Sequence, residues 1–218
     1  MPRISESTVR RFSTYLRSLD EFSLEGKPLI SSRELALLSG VNSAQVRKDL
    51  SCIGSLGRRG LGYQVEPLRK EIRTILGLSR EWLLALVGAG NIGSALVSYT
   101  DFDRQGFKIV AVFDNANDRI GQRLGSHTIE PITHFPDVVS RHSVEIGVIA
   151  TPAHDAQEVA DMMVTSGVRA VLNFAPRKLR LPEDVIHRAV NMTHELESLS
   201  FMLSQDTLRS SRRSLFSD

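Results

Sequence analysis

Apolar residues recur every three or four positions in the first 80 residues and gather into short unbroken runs after them, so the chain changes character partway along. Val9, Phe12, Leu16 and Leu19 predict a first helix over residues 5–22, halted before Gly26, Lys27 and Pro28. A second helix is expected from Ser31, which has capping-box spacing to Glu34, and it stops at Gly40. Gly40, Val41 and Asn42 then form a turn. Ser43 is placed to cap a third helix reaching about Ile53, with Val46 and Leu50 facing inward and Gln45, Arg47 and Lys48 facing outward. Residues 54–65, rich in glycine, read as a short hairpin with Arg58 and Arg59 at its tip. Leu68, Ile72, Ile75 and Leu76 share one face of a helix over residues 66–77, expected to link two domains.

The later pattern is different. Residues 82–87 form a continuous apolar run suited to a buried parallel strand, and Gly88-x-Gly90-x-x-Gly93 follows it directly, ahead of a helical segment. In such a unit the first glycine makes the turn, the second lets backbone approach a diphosphate, and the third lets helix pack on strand. A second strand over 108–113 ends in Asp114, whose carboxylate suits the ribose hydroxyls of an adenosine and repels a 2′-phosphate, favouring NAD(H) over NADP(H). The spacing also allows Asp114 to be a helix cap. Strands over 146–150 and 170–174 flank a helix over 156–166, which completes the alternation of a parallel, doubly wound sheet. Ligands bind beyond the carboxyl ends of such strands, which nominates Gly88, Ala89, Gly90, Asn91, Ile92 and Gly93, then Thr151, Pro152 and Ala153, then residues 173–176. Met192, Leu196, Leu199 and Leu203 form an apolar stripe on a last helix over 193–208, and a polar, flexible tail is expected from 209 to 218.

Charge sharpens this division. The net charge is only +2, yet residues 1–80 hold 14 Lys and Arg against 8 Asp and Glu, while the remainder hold 13 against 17. The first part is therefore the expected polyanion-binding part, with Ser43, Gln45, Arg47, Lys48, Arg58, Arg59 and Gly60 as candidate DNA contacts. Gln pairs with adenine, and Arg or Lys with guanine or phosphate. A winged helix that binds protein is the competing reading, and Gln45 and Asp49 taken alone read as surface residues rather than base readers. The single cysteine, Cys52, excludes an internal disulfide, and no His/Cys spacing suits a metal. No apolar run reaches the ~18–20 residues of a membrane span, and residues 1–6 lack a signal-peptide core, so a cytoplasmic protein is expected.

Taken in order, Gln45-Val46-Arg47-Lys48-Asp49-Leu50, Gly57-Arg58-Arg59-Gly60-Leu61-Gly62-Tyr63, Gly88-Ala89-Gly90-Asn91-Ile92-Gly93 and Leu172-Asn173-Phe174-Ala175-Pro176 resemble the Rex family of redox-sensing repressors. The likeness runs from about Ile4 to Leu203. It implies a homodimer with swapped C-terminal helices that binds an inverted-repeat operator, with NADH releasing the DNA and NAD⁺ permitting binding. It further implies Tyr99 beside the nicotinamide, Asp114 at the adenosine, and Arg17 facing the start of the partner's last helix. There this sequence holds Asn191 and Met192 where family members can carry Asp and Phe, and Met192 is expected to enter the nicotinamide pocket.

The expected architecture is therefore a winged-helix DNA-binding domain with its linker over 1–80 and a Rossmann-like NAD(H)-binding domain over 81–190. A dimerisation helix over 191–208 and the tail follow. The competing functions are an oxidoreductase, with His154 as its candidate acid/base; a Rossmann domain for coenzyme A or ATP; and a scaffold without nucleic acid. No convincing catalytic His/Lys or Tyr/Lys set is present for the first, so a non-enzyme is expected.

Overall fold

The computed structural model describes residues 4–54, 57–58 and 61–214. Contacts divide the chain into two compact units, Met1–Arg80 and Glu81–Asp218.

The first unit begins with α1 (Glu6–Leu24), whose N-terminal amides are met by the Ser5 hydroxyl, accepting from Thr8 N at 3.2 Å. A short β1 (Leu29–Ile30) leads into α2 (Ser32–Ser39). Here the expected capping box is formed: Ser31 Oγ accepts from Glu34 N and Glu34 Oε2 accepts from Ser31 N, worth about 1 kcal/mol of helix stability. The helix ends on Gly40 at φ +66°. In α3 (Ser43–Ser51) the cap is Asn42, whose Oδ1 accepts from Gln45 N at 2.8 Å, so Ser43 is the first helical residue and not the cap. Asn caps as well as Ser does, and the sequence offers both side by side.

Strands β2 (Gly57–Arg58) and β3 (Gly62–Gln64) pair antiparallel, and β3 also pairs with β1, which roots the hairpin in the helical unit. Gly62 has φ +87°, and a Cβ there would collide with the Ile30 carbonyl, so the crossing of the two strands demands glycine. The following α4 (Val65–Ile75), expected to link the two domains, packs into the first unit. Its Leu68 and Ile72 are fully buried in one core with Phe12, Leu16, Leu19, Leu35, Val46 and Leu50. The amphipathic stripe was correctly located but belongs to the interior of the unit, where each such side chain contributes about 1.5–3 kcal/mol.

The second unit is a seven-stranded sheet in the order β10-β9-β8-β4-β5-β7-β6. Its strands are β4 (Trp82–Val87), β5 (Phe107–Asp114), β6 (Arg123–Leu124), β7 (His127–Pro131), β8 (Ile146–Ile149), β9 (Ala170–Asn173) and β10 (Ile186–Ala189). All neighbours pair parallel except β6, which forms an antiparallel edge on β7. The six parallel strands, counted as the chain makes them, follow the Rossmann order 3-2-1-4-5-6. Side chains alternate along β4: Ala85 and Val87 pack under α7 (Phe135–His142) and α8 (Ala156–Thr165), while Leu84 and Leu86 pack on the opposite face with Leu96 and Val97 of α5 (Asn91–Val97). A strand buried on both faces must be apolar throughout, which is why residues 82–87 show no polar alternation.

A short α6 (Asp101–Gln105) precedes β5. The last helix, α9, runs Met192–Ser214, so residues 209–214 continue it where a flexible tail was expected.

Candidate functional site

At the carboxyl ends of the strands, where the chain leaves β4 for β5 on one side and reaches β8 on the other, lies a cleft of about 450 Å³. Gly88, Gly90, Asn91 and Ile92 line it after β4, Asp114 and Arg119 after β5, and Thr151, Pro152 and Asp155 after β8. The glycines have separate physical reasons. Gly88 sits at φ +104° with the Ala150 carbonyl 2.5 Å from where a Cβ would stand, and a Cβ on Gly93 would strike the Gly88 carbonyl. Both permit strand, turn and helix to close on one another. Gly90 has no such protein constraint: the nearest atom to its Cβ position is Arg119 Nη1 at 3.7 Å. The space it leaves opens into the cleft, where a diphosphate requires close approach to backbone.

Asp114 is 5% exposed. Its Oδ2 accepts from Ala89 N at 2.8 Å and from Arg119 Nη1 at 3.2 Å, and its Oδ1 accepts from Ala116 N at 2.9 Å. Burial works against ionisation here, but the Ala116 and Ala89 amides and the Arg119 guanidinium outweigh it and hold the carboxyl below its ordinary value. The charged form therefore pins the glycine loop to the end of β5 while presenting a carboxylate at the cleft. Arg119 was not foreseen from sequence; it lies in a loop and announces itself only through this contact.

At the other end, Thr151 Oγ1 is buried without a hydrogen-bond partner, the one such side-chain atom among the described residues. A buried hydroxyl left unpaired costs free energy that a ligand group can recover. These features fit a dinucleotide: backbone amides and a cation for the diphosphate, an acid for the adenosine ribose, and an unpaired hydroxyl beyond. Asn173, nominated for the same lining, instead closes its own loop, accepting from Ala175 N and donating to the Arg177 carbonyl. His154 is 79% exposed in its side chain, 3.4 Å from Asp155, and is not among the residues lining the cleft.

Tyr99 follows α5, half exposed, with its ring edge-on to Phe102 at 5.1 Å. Met192 is 60% exposed at the start of α9. Neither side chain lines the cleft. Asn191 Oδ1 accepts from Thr193 N and His194 N, so it caps α9. Arg17 is exposed on α1.

In the first unit, Arg47 and Lys48 stand exposed on α3, and Arg47 Nη1 donates to Ser32 Oγ at 3.2 Å. Ser43 and Gln45 are half-buried, and the Gln45 amide donates to Asp49. Asp49 itself is only 2% exposed, which corrects the expectation of a surface residue: a partner on α1, Arg11, draws it inward. Arg58 is in β2, opposite Gly62. Its side chain, with Arg59 and Gly60, lies outside the described residues. Cys52 is an exposed free thiol at the end of α3.

Residues 3–51 match the family described as "Putative DNA-binding protein N-terminus", and residues 79–177 match "CoA binding domain". Curated relatives match over more than nine-tenths of the chain. The redox-sensing transcriptional repressor Rex of Desulforamulus reducens is 46% identical over 93% of this chain and 96% of its own length. Rex of Carboxydothermus hydrogenoformans is 45% identical over 94% and 98%. Among solved structures, RSP, a Rex-family repressor, is 32% identical and superposes with TM-scores of 0.85 in complex with β-NADH and 0.89 in complex with β-NAD⁺ and operator DNA, covering 97% and 100% of this chain and 99% and 100% of its own. The curated relatives are named as transcriptional repressors and not as enzymes. With a winged helix, a Rossmann sheet and full-length relatives all in agreement, the chain belongs to the Rex family of redox-sensing transcriptional repressors.

Proposed function

We propose that the chain works as a cytoplasmic homodimer that grips an inverted-repeat operator and releases it when NADH fills the cleft of each Rossmann unit. The observation that carries this reading is the glycine loop, open at Gly90 beside Arg119 and pinned through Ala89 to Asp114. Residues 88–93 cradle the diphosphate, Asp114 receives the ribose, and Thr151 and Pro152 border the nicotinamide half, which Tyr99 and Met192 of a second copy complete. The crystal structures of the relative RSP with β-NADH, and with β-NAD⁺ and operator DNA, support both ligands.

The dimer has its own support. Along α9, Met192, Leu196, Leu199, Phe201, Met202 and Leu203 are each 55–69% exposed. Apolar surface in such concentration marks an interface, and a swapped helix from a second copy is its occupant. Arg17 and Asn191 then meet across that interface. On the DNA side, α3 enters the major groove with Gln45, Arg47 and Lys48, while Ser43 and the hairpin residues Arg58, Arg59 and Gly60 meet the backbone or the minor groove.

Reduced and oxidised nicotinamide differ by one positive charge and by ring shape. A ligand shifts the dimer only through different affinity for its two states, so this difference must be read in the pocket. Titration of the protein with NADH, followed by nucleotide fluorescence, tests the reading: saturable binding weakened by Asp114→Ala supports it, and absence of binding overturns it. No NADH is consumed with carbonyl substrates on this reading.

The match of residues 79–177 to a coenzyme A family favours a second reading, a cleft for another nucleotide. Displacement of NADH by coenzyme A or ATP at equal concentration would favour it.

A further inference from the structure

Asp49 lies in α3 between two buried apolar positions, and a carboxylate there is costly unless every lone pair is met. All are. Arg11 donates through Nε to Oδ2 at 2.5 Å and through Nη2 to Oδ1 at 2.7 Å, Tyr15 donates its hydroxyl to Oδ2 at 2.8 Å, and Gln45 donates Nε2 to Oδ1 at 2.7 Å. Arg11 and Tyr15 belong to α1, and Gln45 stands one turn earlier on α3.

From this geometry we infer that Asp49 is the positioning residue of the DNA-reading face: it locks α3 to α1 and holds the Gln45 amide by its nitrogen. The inference rests on the reading that α3 enters DNA. With one Nε2 hydrogen spent on Asp49, the orientation of the Gln45 amide is fixed, and it keeps Oε1 as an acceptor and its second Nε2 hydrogen as a donor for a base edge. In the major groove Oε1 so held accepts from the amino group of adenine N6 or cytosine N4, and the remaining Nε2 hydrogen donates to a purine N7, so the base preference depends on the orientation that Asp49 fixes. Tethering also removes rotamer freedom before DNA arrives, so less is lost on binding. Arg47 and Lys48, exposed on the same helix, carry phosphate attraction independently of this network.

The roles separate in a binding experiment on the full-length protein with a panel of operator duplexes, each changed at one base pair, across a range of salt. Gln45→Ala is expected to erase preference at one base pair of each half-site. Asp49→Asn, which keeps the size but turns an acceptor into a donor, is expected to lose roughly tenfold of the discrimination at that same base pair. Its slope of log affinity against log salt stays at the wild-type value, because the phosphate contacts remain. The double variant loses no more than Gln45→Ala alone. Tyr15→Phe deletes a single hydroxyl and gives a smaller loss at the same position, which serves where Asp49→Asn does not fold. Equal weakening on every duplex by Tyr15→Phe and Asp49→Asn would overturn the inference while leaving DNA binding intact. A wild-type protein without preference for any duplex would overturn the DNA-reading function itself, and this inference with it.

Discussion

Ala89 donates its backbone N–H to Asp114 Oδ2 at 2.8 Å across 25 residues of chain, tying the turn after β4 to the end of β5. One carboxylate thereby shapes the glycine loop and, on the proposed reading, is also the acid that receives the ribose. Asp114→Asn replaces one of its oxygens with a donor, set against Ala89 N and Arg119 or against Ala116 N. NADH affinity is expected to fall about ten- to a hundredfold, or about 1.4–2.7 kcal/mol. Fluorescence titration of the variant and the wild-type protein measures it; an unchanged affinity would remove Asp114 from the site.

The glycines of the same loop separate fold from ligand. Gly88→Ala meets the Ala150 carbonyl in a left-handed backbone and should destabilise the second unit by about 2–4 kcal/mol. Gly90→Ala meets no protein atom closer than 3.7 Å. Its stability should stay within about 0.5 kcal/mol of wild type, while NADH affinity drops at least about tenfold, or about 1.4 kcal/mol. Urea unfolding paired with NADH titration distinguishes the two.

Acid should weaken both units. Asp49 and Asp114 are each held below the ordinary carboxylate value: burial opposes ionisation in both, and their hydrogen-bond donors outweigh it. A carboxylate with a depressed folded-state value binds its proton more readily when unfolded. Its stabilisation is therefore complete above the unfolded value of about 3.9 and is lost as pH falls through the lower folded one. Denaturant midpoints between pH 7 and pH 2 should decline below about pH 4, and Asp114→Asn should decline less steeply than wild type.

Elements governed by nearby residues were legible in the sequence. The apolar run 82–87 became β4 without change of boundary, and Ser31 with Glu34 formed the capping box. Elements governed by distant partners were not. Asp49 is buried because Arg11, 38 residues away, reaches it, and helical periodicity carries no trace of that pair. The stripe on α4 gave the correct face without telling an internal helix from a linker, since both show the same pattern. Strand β10 escaped notice because Ile186, His187, Arg188 and Ala189 are all exposed in this chain, with no inward face to produce an alternation. In the cleft, glycine spacing located the loop, whereas Arg119 and the unpaired Thr151 hydroxyl became visible only in three dimensions.

The apolar face of α9 should govern assembly. Leu196→Glu with Leu199→Glu places two charges on side chains that are 65% and 55% exposed in the single chain, so the fold of one subunit is little disturbed. Sedimentation analysis should show a shift from dimer to monomer. Operator affinity should fall at least about a hundredfold, or about 2.7 kcal/mol, because two half-sites are no longer held together. A dimer that survives both changes would place the interface elsewhere.

The decisive observation is fluorescence anisotropy of a duplex carrying an inverted repeat from the gene's own upstream region, bound by the full-length protein at fixed salt while NADH and NAD⁺ are titrated separately. NADH should release the duplex and NAD⁺ should leave it bound. Tight binding that is indifferent to saturating NADH would contradict redox sensing and leave a DNA-binding protein whose Rossmann cleft answers to another ligand.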